Sequence, residues 1–127
     1  KNNYLIQTDA VKNYLIPKMN YRENLQWLAY AEEADILNVA LFGFTAKAWR
    51  EANPELAKKN NVRDFATINE LTVLSNLESH NAQMIKEGKK KEERFKILQE
   101  IAEYQLNVLN TAEKIKMLED ENQLVEI

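Results

Sequence analysis

The sequence predicts an all-α protein, a compact bundle of about five helices around a central apolar helix, with a long C-terminal helix. Three observations predict it. Only two glycines and two prolines occur in 127 residues, against roughly fifteen at average usage of about 7% and 5%, and strands joined by tight turns would need many more. Apolar residues recur three and four apart through most of the chain, the period of one helix face. Residues that start and stop helices fall at the edges of those runs.

Apolar residues make up 45% of the chain and charged residues 29%, enough for one core with a wetted outside. The length suits one domain, read as 1–118, followed by an acidic tail, 119–127, expected to fray. A net charge of -3 gives no general attraction to nucleic acid or anionic lipid, because counterion release needs a basic surface. Without cysteine there is no disulfide framework, no thiolate nucleophile and no cysteine-based metal site. No apolar run approaches the roughly 18 residues that span a bilayer, and no signal-peptide stretch opens the chain. A cytoplasmic location without membrane contact is therefore expected. The chain opens at Lys1 rather than methionine, so an upstream segment is also expected.

Along the chain, Thr8 and Asp9 are candidate start residues for a short helix within Tyr4 to Ile16, with Ala10, Val11, Tyr14 and Leu15 spaced for one face and Pro17 as the stop. The second helix opens at Asn20, three residues before Glu23 in a capping-box-like pair, and stops at Gly43, with a break allowed near Glu32. Between Leu25 and Phe42 apolar residues point almost all round, so this helix is expected at the centre. Thr45 caps a short helix, Ala46 to Ala52, which Asn53 and Pro54 end. Glu55 to Ala66 is a polar connection. Thr67 and Glu70 then form a capping box for a helix whose face carries Ile68, Leu71, Leu74, Leu77, Met84 and Ile85 until Gly88. The last helix begins near Glu92.

No arrangement of residues in the sequence points to catalysis. His80 is the only histidine, and Glu78 two residues away points about 200° from it on a helix, so the two cannot share a metal ion. No glycine-flanked nucleophile surrounds Ser75 or Ser79. Glu32, Glu33 and Asp35 interrupt the most apolar stretch. Buried there, a carboxylate would have the raised affinity for a proton that a general acid needs, but the same residues also suit the first turn of a helix restarting at that point. Gly43 and Gly88 belong to no phosphate-binding loop. No catalytic residue, metal, cofactor or small-molecule ligand is expected, and an enzyme with an acidic site is the remote alternative.

Two segments suit binding. Lys86 to Lys96 holds six cations against three acids, and Lys89, Lys90, Lys91 and Arg94 are candidate phosphate contacts, with Lys58 and Lys59 in support; a solvated turn explains the same charge. Trp27, Trp49 and the tyrosines lie at core spacings, which favours packing over base stacking. In the last helix Leu98, Ile101, Gln105, Val108, Ala112 and Ile115 recur at alternating spacings of three and four, a heptad-like seam in which Gln105 would set register. That seam serves either packing within the chain or a homodimer interface.

The strings YLIQTDAVKNYLIP (Tyr4 to Pro17), YAEEADILNVALFGFTAKAWREANPE (Tyr30 to Glu55), VRDFATINELTVLSNLESHNAQMIKEG (Val62 to Gly88) and ERFKILQEIAEYQLNVL (Glu93 to Leu109) resemble, in order and spacing, the C-terminal region of bacterial and prophage KilA-N domain proteins. ADILNVALFG, TAKAWREANPE and LSNLESHNAQMIKEG carry most of the specificity. The resemblance implies a helical accessory region behind an N-terminal DNA-binding domain, which lies outside this sequence, so no DNA-contacting residue transfers to any position here. Lys89 to Lys91 depart from the family's less basic linker. On this reading the segment is a non-enzymatic interaction domain of a phage-associated protein, a homodimer through its C-terminal helix, meeting DNA mainly through the absent domain. Direct nucleic-acid binding by Lys86 to Lys96 is the alternative.

Overall fold

The computed structural model describes residues 1–19 and 22–126, with side chains through Glu121. Five α-helices account for most of it: α1 (Asn2–Ala10), α2 (Trp27–Phe42), α3 (Ala46–Ala52), α4 (Ile68–Lys86) and α5 (Lys91–Glu126). No strand occurs among the described residues, and the expected fold class holds.

The first helix starts earlier than its polar residues suggested. Lys1 occupies the N-cap, while the Thr8 hydroxyl donates to the Leu5 carbonyl at 3.0 Å and Asp9 accepts from Asn13 at 2.9 Å, so neither caps an end. Past Ala10 the backbone widens into a π turn, Val11–Leu15, and tightens into a 3-10 turn, Ile16–Lys18, that contains Pro17. Asn20, the expected start of the second helix, lies outside the described residues. Glu23–Leu25 form a single 3-10 turn, and α2 then runs unbroken from Trp27. Glu32, Glu33 and Asp35 therefore sit inside a continuous helix, not in the first turn of a restarted one.

The punctuation farther along follows the sequence. Gly43 takes φ 85 and donates its amide to the Val39 carbonyl at 3.0 Å, closing α2. The Thr45 hydroxyl accepts from the Ala48 amide at 3.1 Å to open α3. Within the polar connection two 3-10 turns form, Leu56–Lys58 and Val62–Phe65, the second held by an Asn61 and Asp64 capping box. It buries Val62 and brings Phe65 to 5.8 Å from the Trp49 ring. At the head of α4 the Thr67 hydroxyl accepts from the Glu70 amide at 3.1 Å and the Glu70 carboxylate from the Thr67 amide at 2.9 Å. Its other end closes as a Schellman turn, with Gly88 (φ 81) donating to Ile85 and Lys89 to Met84, at 3.0 and 3.1 Å.

The helix at the centre is α4, which packs against α1, α2 and α5. Its Val73, Leu74, Leu77 and Met84 meet Ile36 and Leu37 of α2 and Leu98 and Ala102 of α5 in the main core. A second cluster joins Ala10, Val11, Ala29, Ala82 and Ile85, where three alanines let the helix backbones approach closely. The expectation that the Leu25 to Phe42 segment would hold the centre is thus corrected. Only two other long helices, α4 and α5, are available to cover α2, so one side of it stays open, and Trp27 at its start remains 61% exposed. The last helix has 36 residues, about 54 Å at 1.5 Å per residue, and neither glycine nor proline interrupts it. It outruns the bundle: every residue from Asn110 to Glu121 is exposed.

Candidate functional site

The most ordered polar chemistry lies inside the protein. Each of the four helices α1, α2, α4 and α5 contributes one buried polar side chain to a single cluster: Gln7, Glu33, Asn81 and Arg94. Arg94 is only 1% exposed and Glu33 2%. Arg94 grips Glu33 in two-pronged fashion, through Nη1 to Oε1 and through Nη2 to Oε2 at 3.1 Å. Nη1 also donates to Asn81 Oδ1 at 2.7 Å, and Nε to the Lys89 carbonyl at 3.1 Å. Asn81 Nδ2 in turn donates to Glu33 Oε1 at 2.9 Å and to Gln7 Oε1 at 3.0 Å. A planar guanidinium matches a carboxylate with two parallel hydrogen bonds, and the Asn81 amide donates to a further acceptor position on Glu33, so the charged pair is internally compensated.

This geometry changes what the sequence-expected residues can do. Arg94, a candidate phosphate contact, is buried against Glu33 and cannot reach a ligand in solution; four residues before Leu98, it shares the inward face of α5. Lys91 pairs with Glu32 at 3.2 Å and Lys89 with Glu93 at 3.9 Å, while Lys58 pairs with Glu55 at 3.1 Å. Lys90 and Lys96 are exposed. The basic segment is therefore less positive toward solvent than its composition suggests. Of the three acids considered for a catalytic site, Glu33 has both oxygens engaged by the network, Asp35 is exposed, and Glu32 carries the Lys91 contact. Glu32, Asp35 and Lys91 border a groove of about 550 Å³ between α2 and α5, with Ile36, Val39 and Phe95 as its apolar lining.

His80 is exposed, on the side of α4 facing α1, in a groove shared with Asp9, Tyr14 and Lys86. No group of three or more potential metal ligands occurs among the described residues. Glu78, which the sequence reading considered only as a partner of His80, is 3% exposed. Its Oε2 accepts no hydrogen bond among the described residues, and the nearest cation is Arg63 Nη2 at 3.9 Å. Burial pushes the Glu78 carboxyl above the usual carboxylate range, with Arg63 and the terminal ammonium opposing that push.

The expected seam of α5 divides between two environments. Leu98 is fully buried, Ile101 is half-buried beside the main core, and Gln105 accepts from Asn76 at 3.0 Å. Leu98 and Gln105 pack within the chain, and Ile101 lies at the edge of that packing. Val108, Ala112 and Ile115 are exposed, as are Tyr104 (70%), Met117 and Leu118. The last anchoring contacts are from Asn69 to Asn110 and Glu113, at 2.9 and 2.8 Å.

Sequence reasoning missed the buried network, although its signal was present. Glu78 and Asn81 fall on the apolar face of α4 between Leu77 and Met84, and Arg94 falls on the inward face of α5. Polar residues at core positions of different helices imply partners for one another, but which pairs meet depends on how the helices are arranged. Comparison of the chain with family models, characterised proteins and solved structures returns no match.

Proposed function

We propose that this chain is a non-enzymatic helical accessory domain of a KilA-N-type, phage-associated DNA-binding protein, and that it works through self-association along α5. The observation that carries the self-association is the free half of α5, where Val108, Ile115 and Leu118 stand between 46% and 51% exposed. Val108, Ile115 and Leu118 fall within about 80° of one another around the helix, and apolar exposure clustered on one side in this way is a usual mark of an interface. The family assignment rests on the four strings quoted above.

A symmetric dimer would hold two upstream DNA-binding domains together, so that engagement of one site raises the effective concentration of the second domain at its neighbour. DNA contact belongs to those domains, and this segment supplies valency in the cytoplasm. The pairing of Lys58, Lys89 and Lys91 with acids and the burial of Arg94 weigh against direct nucleic-acid binding by the basic segment. Sedimentation equilibrium at tens to hundreds of micromolar tests the reading: concentration-dependent dimerisation is expected, and a monomer throughout overturns it. A mobility shift on this segment at low salt, abolished by replacing Lys89, Lys90 and Lys91 with alanine, would instead establish the nucleic-acid alternative.

A further inference from the structure

The exposed apolar residues of α5 follow a different line from the seam that the sequence suggested. Ile101, Tyr104, Val108, Thr111, Ile115 and Leu118 are spaced three, four, three, four and three residues apart. At 100° per residue they form one stripe turned by about 110° from the face that carries Arg94, Leu98, Ala102 and Leu109 inward. Exposure along it rises from half-buried Ile101 to 70% at Tyr104, and stands at 46% for Val108 and 51% for both Ile115 and Leu118.

In heptad notation Ile101, Val108 and Ile115 take a, while Tyr104, Thr111 and Leu118 take d. Every a position is β-branched, and at the outer end Ile115 at a meets leucine at d, the combination that favours two parallel strands, while Tyr104 and Thr111 fill the other two d positions. The flanking charges agree. In a parallel, in-register pair Lys114 at g faces Glu119 at e of the second copy, and by symmetry the contact occurs twice. Antiparallel docking of the same stripe sets Ile101 opposite Leu118 of the second copy, which brings Glu100 against Glu121 and leaves both Lys114 and Glu119 without an opposite charge. All four charged residues are exposed.

We infer that α5 pairs with the α5 of a second copy as a parallel, in-register two-stranded coiled coil along Ile101 to Leu118, locked by Lys114 to Glu119 contacts. This rests on the self-association proposed above and adds its face, direction and pairing. The stripe is short for an isolated coil, but the bundle already fixes the helix at one end, which lowers the ordering cost.

The chain contains no cysteine, so Leu118→Cys supplies a single thiol at the far end of the stripe. Mild oxidation of this variant is expected to give a covalent dimer, because d positions of parallel partners lie within disulfide reach. Lys116→Cys, at a b position, serves as the control and is expected to stay uncrosslinked. In an antiparallel pair the two 118 positions stand about 25 Å apart, and only a mixture of Ile101→Cys with Leu118→Cys chains would link. That result overturns the direction while sparing self-association. Equal crosslinking of Lys116→Cys, or sedimentation of the reduced protein as a trimer, overturns the two-stranded arrangement. A monomer throughout removes the underlying reading itself.

Charge reversal gives a second readout. Lys114→Glu and Glu119→Lys are each expected to weaken the dimer roughly fivefold, and the double variant to restore it, as for two exposed ion pairs. Failure of that rescue in a protein that still dimerises also overturns the pairing.

Discussion

Replacing Arg94 with methionine should do far more damage than its place in a lysine-rich segment suggests. Methionine has similar length and suits an apolar interior, so the loss is chiefly polar. It removes both prongs of the Glu33 pair, the 2.7 Å bond to Asn81 and the 3.1 Å bond to the Lys89 carbonyl. Glu33, 2% exposed, would keep only the Asn81 amide at 2.9 Å. Breaking a buried ion pair from one side costs about 3–5 kcal/mol, set against about 5–15 kcal/mol for the whole of a typical domain. At about 4 °C per kcal/mol for a domain of this size, Arg94→Met should lower Tm by roughly 12–20 °C. Removing both charges is different. The double variant Arg94→Met, Glu33→Met leaves no stranded charge and should recover at least half of the loss. Urea unfolding followed by helical circular dichroism at fixed pH measures both. A cost below about 1 kcal/mol for the single variant, or a double variant as unstable as the sum of two singles, would refute the claim that the pair is buried and mutually dependent.

Two further substitutions test other parts of the bundle. Glu78→Gln removes a carboxyl whose affinity for protons is raised by burial; because the folded state holds that proton to higher pH than the unfolded one, stability falls as pH rises from the ordinary value of 4.5 through the raised one. The stability of Glu78→Gln relative to the parent should accordingly increase across that window, as urea titrations at pH 4 and pH 7 would measure, and an unchanged difference would show that Glu78 titrates normally. Gly88→Ala forces a side chain into a backbone with φ 81, where the added carbon also comes 3.4 Å from Lys18 Nζ; the expected loss is about 1–2 kcal/mol from the backbone alone, read as a fall in thermal midpoint with the helix content retained.

Much of the fold was legible because it depends on local chemistry. The Thr45 cap, the Thr67 and Glu70 box and the turns at Gly43 and Gly88 are decided by neighbours within a few residues, and each appears where expected. The centre of the bundle was not legible. An apolar run such as Leu25 to Phe42 reports how much surface a helix could bury, whereas the number of helices available to cover it is a property of the whole chain; α4, with an ordinary two-sided pattern, holds the centre instead. The network was missed for the same reason. Arg94 looks like one more cation beside Lys89 to Lys91, and only its alignment with Leu98 on the inward side of α5 distinguishes it. The α5 seam divides between a packed and an exposed part. Leu98 and Val108 were assigned to one line because alternating spacings of three and four fit two neighbouring stripes equally well, and only burial separates them.

A single uninterrupted helix therefore lives under two regimes of stability. Around Arg94 and Leu98 its peptide groups can open only when the whole bundle comes apart, since the residues that hold them are the residues that hold everything else. Past Glu113 the same backbone is free to unwind turn by turn from its end at little cost. The outer half thus behaves as a reporter of its surroundings: anything that settles on it converts a locally melting segment into part of the cooperative unit, and the gain in protection would be concentrated there, away from the anchored end.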